Sequence, residues 1–375
     1  MNRTAIVVGL MLAASALIVT ALAGPINPPV GPIAPTAKPL SEIEPRTAIN
    51  AANTPGDATS LFKITLPGSY YLTGNITGVV GKHGIAIAAS GVTLDLNGFD
   101  LAGIPAMGAF DGVSVTVSGP TNIAVINGSV RSWGDEGVDL GTMGATNCRV
   151  DNVRARGNVG AGISVGEDTV VSNCAVSNNT GSGITAGGRC AISVCTAGGN
   201  TAHGISVGFY TTLNSCVATG NGGNGFSLAG SAAVAGCSSS ANSGIGIDAG
   251  FASTVSHSTT ISNVGDGIRC SFGSSILDNT CRQNGNGAGD GAGIHATGFH
   301  NRIEGNNCST ADRGIDVDLA GNIIIKNTCS GNTTNWDIVA GNVCLVVQGV
   351  TGAAILGNTG GVAPGSSDPY ANFSY

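Results

Sequence analysis

Apolar residues in this chain alternate with polar or small residues only in short bursts. In the segment 183–203, Ile184 and Ala186 form one burst, and Ile192 and Val194 form another. A period of two is that of a half-buried β-strand, and no window shows a sustained helical stripe. Between the bursts stand Gly, Asn and Ser, which accept tight-turn or left-handed backbone. The pattern predicts an all-β protein with short strands joined by tight turns.

These bursts recur with a fixed period of 21 residues. Seven asparagines hold that spacing, and a glycine follows each of the first six by four residues. A repeat this short cannot bury its apolar face alone, so copies must stack, with equivalent strands about 4.8 Å apart. We expect the asparagines to take left-handed backbone at one corner and to hydrogen-bond along the stack. They are Asn158, Asn179, Asn200, Asn221, Asn242, Asn263 and Asn284.

A stacked repeat with an asparagine column resembles the right-handed parallel β-helix family, the pectate-lyase-like superfold. The resemblance implies a single-stranded right-handed parallel β-helix of about 12 coils, each of ~21 residues. It also implies a polysaccharide or cell-surface glycan as partner, because β-helix enzymes commonly use one flank as a polysaccharide groove. The catalytic motifs of polygalacturonases and pectate lyases do not occur in the sequence. Since the fold serves many functions, the resemblance predicts architecture better than activity.

The two ends of the chain differ from the repeat. Residues 1–23 have the charged, apolar and small-x-small regions of a secretory signal peptide, which predicts a secreted, periplasmic or cell-surface protein. An uncleaved membrane anchor is the alternative; after cleavage, no other stretch is apolar enough to cross a bilayer. We interpret residues 24–57 as a Pro-rich linker and 58–82 as an N-terminal cap. Residues 83–350 are the β-helix, and 351–375 are a C-terminal cap or tail.

Charge narrows the choice of partner. The 375 residues include 15 Lys and Arg against 22 Asp and Glu, which gives a formal net charge of −7. An acidic chain without a basic tract is a poor nucleic-acid binder, so we expect no nucleic acid as partner. The same charge gives no electrostatic help toward polyuronates, which are anionic.

One polar column should face solvent. The residue after the first inward position of each coil points outward, and these residues stack from rung to rung. The rungs nearer the N-terminus, here called lower, carry mostly hydroxyls, whereas the upper rungs from Asp248 onward all carry ionisable side chains. The column comprises Asp139, Ser164, Thr185, Ser206, Ser227, Asp248, Arg269, His295, Asp316 and Asp337.

The ionisable rungs suggest acid–base chemistry. Adjacent rungs place Asp316 and Asp337 about 5 Å apart, near the separation of an acid and nucleophile pair in glycoside hydrolysis. His295 could act as a general base, while Arg269 steadies an anionic group. The predicted catalytic residues are therefore His295, Asp316, Asp337 and Arg269. The predicted binding residues are Asp248, Asp266, Asp290, Arg313 and Asp318.

Several interpretations of this column stay open. It is a solvated structural stripe, a saccharide-binding face or an active site of a polysaccharide lyase or glycoside hydrolase. The non-catalytic alternative for the whole protein is a structural, adhesin or surface-layer spacer. Carboxylates suit Ca²⁺, but the Cys and His spacings match no metal motif, so no metal ligands are predicted.

Two further residue types recur. Cys174, Cys195, Cys216 and Cys237 follow the repeat period, as do Cys308 and Cys329. Parallel Cβ vectors fit a disulfide badly, so we expect buried thiols, with rung-to-rung disulfides as the alternative. Phe209, Phe251 and Phe272 share one position, with Phe299 one residue off. We expect them to pack inside the coil, and a sugar-stacking platform is the alternative.

Overall fold

The computed structural model describes residues 44–285, 291–348, 354–357 and 368–375. Within it, Arg46–Tyr375 groups as one compact unit. The predicted signal peptide, most of the predicted linker, Asp290 and most of the predicted C-terminal tail lie outside the described residues. Among the residues described, no helix has the length and apolarity needed to cross a membrane.

All strand pairs between the named strands are parallel, and they form two sheets. Among the residues described, sheet 1 has 14 strands, one from each coil, so the stack has about 14 coils rather than about 12. The difference arises because the predicted cap and tail each contribute a strand to this sheet. The strands of sheet 1 are Ser60–Ile64, His83–Ile87, Val113–Val115, Val138–Asp139, Ile163–Val165, Ile184–Ala186, Ile205–Val207, Phe226–Leu228, Ile247–Asp248, Ile268–Cys270, Ala292–Ala296, Arg313–Val317, Thr334–Ile338 and Ala354–Gly357.

Sheet 2 contains the other 26 strands and takes two short strands from each regular coil. Its strands are Thr47–Ala48, Gly68–Tyr71, Ile76–Thr77, Val92–Asp95, Asp100–Ala102, Ile123–Arg131, Arg149–Arg156, Val170–Ser172, Ala175–Ser177, Ala191–Ser193, Thr196–Gly198, Thr212–Asn214, Val217–Thr219, Ala233–Ala235, Ser238–Ser240, Thr254–Ser256, Thr259–Ile261, Ser275–Leu277, Thr280–Arg282, Arg302–Glu304, Asn307–Ser309, Ile323–Ile325, Thr328–Ser330, Val343–Cys344, Val346–Gln348 and Asn372–Ser374. The last of these lies between the strands that begin at Thr328 and Val346 and pairs with both.

The core follows the alternation expected from the sequence. In Ile205–Val207, the two ends are buried and Ser206 between them faces out. The next coil repeats the arrangement, because Ile205 pairs with Phe226 and Ser206 with Ser227. Stacked inward positions therefore make one continuous apolar core.

The predicted asparagine ladder is present and buried. Asn200 shows the pattern, since both its backbone N–H and its Nδ2 donate to Oδ1 of Asn221, at 3.0 and 2.9 Å. Each rung from Asn158 to Asn284 repeats this contact at 2.8–3.2 Å. The expectation of left-handed backbone at these asparagines is wrong. The left-handed residue is the one before, such as Asn178 or Gly199, which frees the asparagine side chain to point inward.

Each regular coil has three such corners, and a run of stacked cysteines occupies one of them. Asn173 and Val194 have positive φ and precede Cys174 and Cys195. Val194 is therefore a corner residue, 58% exposed, and not the inward strand residue the sequence suggested. The thiol of Cys174 donates to the carbonyls of Ser172 and Val150, at 3.1 and 3.7 Å. It thus occupies the place of the Asn279 amide higher in the same corner, which donates to the carbonyl of Val255 at 2.9 Å.

All eleven cysteines are free and buried. For two of them, Cys270 and Cys344, burial raises the thiol pKa to about 12, which keeps them protonated and unreactive.

The phenylalanine column lies outside the coil, contrary to the expectation of inward packing. Phe209, Phe272 and Phe299 are each 45–46% exposed. Phe251 and Phe272 stack with centroids 5.0 Å apart and planes within 10°. Gly230 has no side chain on the intervening rung, so Phe251 can lean over it toward Phe209. Because the faces of the middle rings are covered by their neighbours, these rings offer only edges to a sugar.

Candidate functional site

The outward residues of sheet 1 form the continuous column that the sequence predicts. Successive register pairs connect Ser114 to Asp139 and continue rung by rung to Asp337. We call this set the outer column. Its members are Ser114, Asp139, Ser164, Thr185, Ser206, Ser227, Asp248, Arg269, His295, Asp316 and Asp337.

A network of charged side chains surrounds His295 at the upper end of the outer column. His295 Nδ1 lies 3.2 Å from Asp266 Oδ2, and Nε2 lies 3.1 Å from Asp318 Oδ2 and 3.8 Å from Asp316 Oδ2. Arg313 reaches Asp337 on the next rung and Asp316 on its own strand, with Nε 2.8 Å from Asp337 Oδ2 and Nη1 3.7 Å from Asp316 Oδ2. We call these residues the charged network: Asp266, His295, Arg313, Asp316, Asp318 and Asp337.

The charged network holds a proton on its histidine. Burial lowers the pKa of His295, but the hydrogen bond to Asp266 and the charges of Asp266, Asp316 and Asp318 outweigh it and raise the pKa to about 9. Burial also raises the pKa of Asp316 to about 6, against the opposing charges of His295 and Arg313. At neutral pH the imidazolium donates from both nitrogens, which suits general acid chemistry better than the predicted general base.

Asp316 departs from the expectation that the column faces solvent, since it is only 6% exposed. His295, Arg313 and neighbouring carboxylates cover it. Arg269 and Asp248 make a separate pair on the rungs below, with Nη2 2.8 Å from Oδ2. The structure thus brings together five predicted site residues around His295 and leaves Arg269 and Asp248 beside them.

A second cluster occupies the lower end of sheet 1 and was missed from the sequence. A cavity of about 280 Å³ is lined by His83, Asp111, Asp135, Glu136 and Asp139, among others. We call these five residues the acidic pocket. Asp111 is buried, lies 3.3 Å from His83 Nδ1, and accepts the backbone N–H of Glu136 at 3.1 Å.

Asp139 is the member of the acidic pocket that also belongs to the outer column. It was expected to face solvent, but it is 4% exposed. Its Oδ1 accepts the backbone N–H groups of Gly141 and Thr142, at 2.9 and 3.0 Å. The turn after the strand therefore folds over it.

Glu136 carries the unusual proton of the acidic pocket. Burial, then the hydrogen bond to Asp135 and its charge, then the charges of Asp111 and Asp139, raise the pKa of Glu136 to about 8. At neutral pH this carboxyl is protonated beside other carboxyl groups. That arrangement gives a proton donor next to potential anions, as in carboxylate-pair catalysis.

A shared position explains part of both clusters. Two residues before the first inward position of a coil, several side chains accept the backbone N–H of the next coil. Asp266 Oδ1 accepts from Ala292 at 2.8 Å, and His203 Nδ1 accepts from Asn224 at 3.0 Å. Asp111 has the same position. The signal in the sequence is a polar residue there, but the coils around Asp111 are longer than 21 residues and fall outside the strict repeat.

Either cluster can offer metal ligands. His295, Asp316 and Asp318 present one ligand atom each within 4.8 Å of one another, and so do Asp111, Asp135 and Glu136. A metal at the first set must displace the proton of His295, and at the second that of Glu136. Carboxylate oxygens would suit a hard cation such as Ca²⁺.

Comparison with known proteins agrees with this architecture. The model of the family described as "Right handed beta helix region" matches residues 142–285. The solenoid extends well beyond that match in both directions. The chain folds as a right-handed parallel β-helix.

Solved structures support the same assignment of fold. This β-helix is similar to the A-module of the mannuronan C-5 epimerase AlgE6 from Azotobacter vinelandii, with a TM-score of 0.56 and 16% identity over 80% of this chain and 92% of that one. The A-module of AlgE4 from the same organism matches with a TM-score of 0.54 and 16% identity, over 80% and 91%. No curated protein matches the chain by sequence.

Proposed function

We propose that this β-helix binds a polysaccharide along the outer column. The carrying observation is that every rung from Ser164 to His295 presents an at least partly exposed polar side chain on one flank, in register. Rungs about 4.8 Å apart offer a repeating row of donors and acceptors to a polymer with repeating hydroxyls. The epimerase modules of similar fold are named for a polysaccharide substrate, which supports the same class of ligand.

A depression in the surface supports an elongated ligand. A cavity of about 510 Å³ is lined by Thr142, Ser164, Glu167 and Thr185, among others. Thr142 also lines the cavity of about 280 Å³ that holds the acidic pocket. The two concavities thus adjoin along sheet 1, and a chain lying there would follow the outer column.

Charge favours a neutral glycan. In the upper half, His295, Arg269 and Arg313 face five carboxylates, and the acidic pocket adds a histidine and four more carboxyl groups. A polyuronate would meet an excess of like charge at both ends of this flank, which disfavours its binding at low salt.

Binding is tested with immobilised polysaccharides and two matched triple variants. Ser164→Val, Thr185→Val and Ser206→Val together remove hydroxyls from the outer column. Ser177→Val, Thr219→Val and Ser240→Val do the same to an outward row of sheet 2. We expect the first triple to lower affinity for a neutral glycan at least about tenfold, since several hydrogen bonds are lost. The second should leave affinity within about twofold. Equal effects of the two triples, or no retention of any glycan, would favour the structural-spacer alternative.

Hydrolysis in the acidic pocket is a second candidate function, favoured by the proton of Glu136. In that chemistry Glu136 protonates the leaving oxygen, and the half-buried Asp135 serves as base or nucleophile. Reducing ends released from neutral glycans are the measurement, with Glu136→Gln as the test. The original catalytic prediction is tested beside it with His295→Ala and Asp316→Ala. Activity lost only in Glu136→Gln assigns the chemistry to the acidic pocket. Activity lost only in His295→Ala and Asp316→Ala assigns it to the charged network.

Export belongs to the same proposal. A glycan ligand outside the cell requires a secreted, periplasmic or surface protein, and the apolar N-terminal segment 1–23 supplies the motif for this. N-terminal sequencing of the protein made in a secreting host should find Gly24 first. A chain that keeps Met1 and stays with the membrane would indicate an anchor.

A further inference from the structure

The two columns of stacked cysteines have a geometry that the proposed glycan function does not use. The corner column contains Cys174, Cys195, Cys216 and Cys237, which precede strands paired in register. The strand column contains Cys281, Cys308 and Cys329, which are register partners themselves. All seven are free and at most 2% exposed.

The thiols of the corner column share one orientation. Each Sγ donates to the carbonyl two residues before it, at 3.1 Å for Cys174, 3.3 Å for Cys195, 3.4 Å for Cys216 and 3.5 Å for Cys237. Equivalent atoms of adjacent rungs are separated by the rung spacing. Neighbouring sulfurs that share an orientation therefore lie about 4.8 Å apart.

This spacing excludes one kind of link and suits another. A disulfide needs sulfurs about 2.05 Å apart and convergent Cβ atoms, which parallel rungs do not provide. A metal–sulfur bond of about 2.3 Å, as for zinc, gives about 4.6 Å across a linear sulfur–metal–sulfur unit. Rung spacing and the linear unit agree to within a few tenths of an ångström.

We propose that adjacent thiols in these columns bind soft metal ions, Cu(I) above all, as linear two-coordinate bis-thiolate sites between rungs. Thiolates select Cu(I) among the available soft ions. Each Cu⁺ replaces the protons of two thiols, which leave to solvent, so no oxidant or reductant is needed. The bridge carries one negative charge. In the corner column, the charged bridge would lie close to solvent, because the residues on either side of Cys174, Asn173 and Ala175, are exposed.

The number of Cu(I) ions per chain follows if each ion uses two adjacent thiols that no other ion shares. The corner column has room for two ions, one between Cys174 and Cys195 and one between Cys216 and Cys237. The strand column has room for one. Three Cu(I) per chain are therefore expected, and the isolated thiols Cys270 and Cys344 should take none.

The test measures Cu(I) bound to the reduced, folded chain against a Cu(I) chelator, by native mass spectrometry and thiolate–metal charge-transfer absorption. Two double variants remove the same number of thiols. Cys195→Ala with Cys216→Ala leaves no adjacent pair in the corner column, so one ion per chain should remain. Cys174→Ala with Cys237→Ala leaves Cys195 beside Cys216, so two should remain.

Single variants repeat the test in the strand column. They keep the proposal testable if the double variants do not fold. Cys308→Ala separates the two remaining thiols by two rungs and should lose one ion. Cys281→Ala keeps Cys308 beside Cys329 and should bind as many Cu(I) ions as the wild type. Cys270→Ala should also bind the wild-type number. Circular dichroism with and without chelator confirms that each variant is folded. Equal losses within either matched pair, or no Cu(I) retained by the folded wild type, would overturn the proposal.

Discussion

The acidic pocket and the charged network lie on the same sheet but resolve their crowded carboxyl groups differently. In the charged network, Arg313 bridges Asp316 and Asp337, and His295 keeps its proton. In the acidic pocket, His83 contacts Asp111, and Glu136 itself remains protonated. Glu136 keeps its proton because it is buried beside like charges, whereas His295 keeps its proton because the surrounding carboxylates outweigh the effect of burial.

This difference has a chemical consequence. The charged network binds its carboxylates internally through cations, so its side chains are largely occupied with one another. The acidic pocket opens onto a cavity and holds a transferable proton at neutral pH. The charged network at the upper end of the outer column is therefore neutralised by its own cations, whereas the acidic pocket at the lower end is suited to acid chemistry.

The largest effect should come from removing the bridging cation of the charged network. Arg313→Gln leaves Asp316 and Asp337 without their shared partner, and we expect a loss of about 2 kcal/mol in unfolding free energy at pH 7. Arg302→Gln is the control, because this arginine pairs with Glu304 at an exposed position on sheet 2. The control should cost less than about 0.5 kcal/mol. Similar losses in urea unfolding would show that Arg313 does not balance the network.

His295 should make stability depend on alkaline pH. Its folded pKa of about 9 exceeds the ordinary 6.5, so its contribution is fully present below pH 6.5 and is lost as pH rises through about 9. We expect His295→Gln to cost about 1.5 kcal/mol at pH 6 and little at pH 9.5. The exposed His257 serves as control. A His295→Gln cost that stays constant across this range would contradict the assigned proton.

Glu136 should give the opposite result on mutation. Its folded pKa of about 8 lies above the ordinary 4.5, so the folded state loses stability as pH rises from 4.5 through 8. Glu136→Gln removes that penalty and should stabilise the fold by about 1 kcal/mol at pH 8, and by almost nothing near pH 4.5. Glu304→Gln is the control, since ion pairs with Lys326 and Arg302 lower the pKa of Glu304. Destabilisation by Glu136→Gln at pH 8 would mean that the pKa of this carboxyl is not raised in the folded state.

The smallest effect concerns the hydroxyls between the two clusters. Ser206→Val should change the unfolding free energy by less than about 0.5 kcal/mol, because the side chain faces outward. If a glycan spans both clusters, its affinity should nevertheless fall a few-fold in isothermal titration. Unchanged affinity would mean that the two clusters do not share one ligand.

Much of the fold could be predicted because its signal is local and repeated. The spacing of Asn158 to Asn284 predicts stacking, and stacking fixes the register that brings Arg269, His295 and Asp316 onto consecutive rungs. The longer coils near Asp111 break that period, so the acidic pocket gave no comparable signal. Phe272 was placed on the wrong side because position in the repeat does not by itself reveal which way a turn residue points.

The sequence by itself determined that coils stack and which residues become neighbours along the stack, because a constant repeat length leaves parallel pairing of equivalent strands as the way to bury its apolar positions. Only the tertiary structure decided how deeply Asp139 and Asp316 are buried and which groups in each cluster keep a proton. These properties depend on side chains from several coils at once. Burial and charge at one atom are sums over those neighbours, and the sums follow from three-dimensional distances rather than from spacing along the chain.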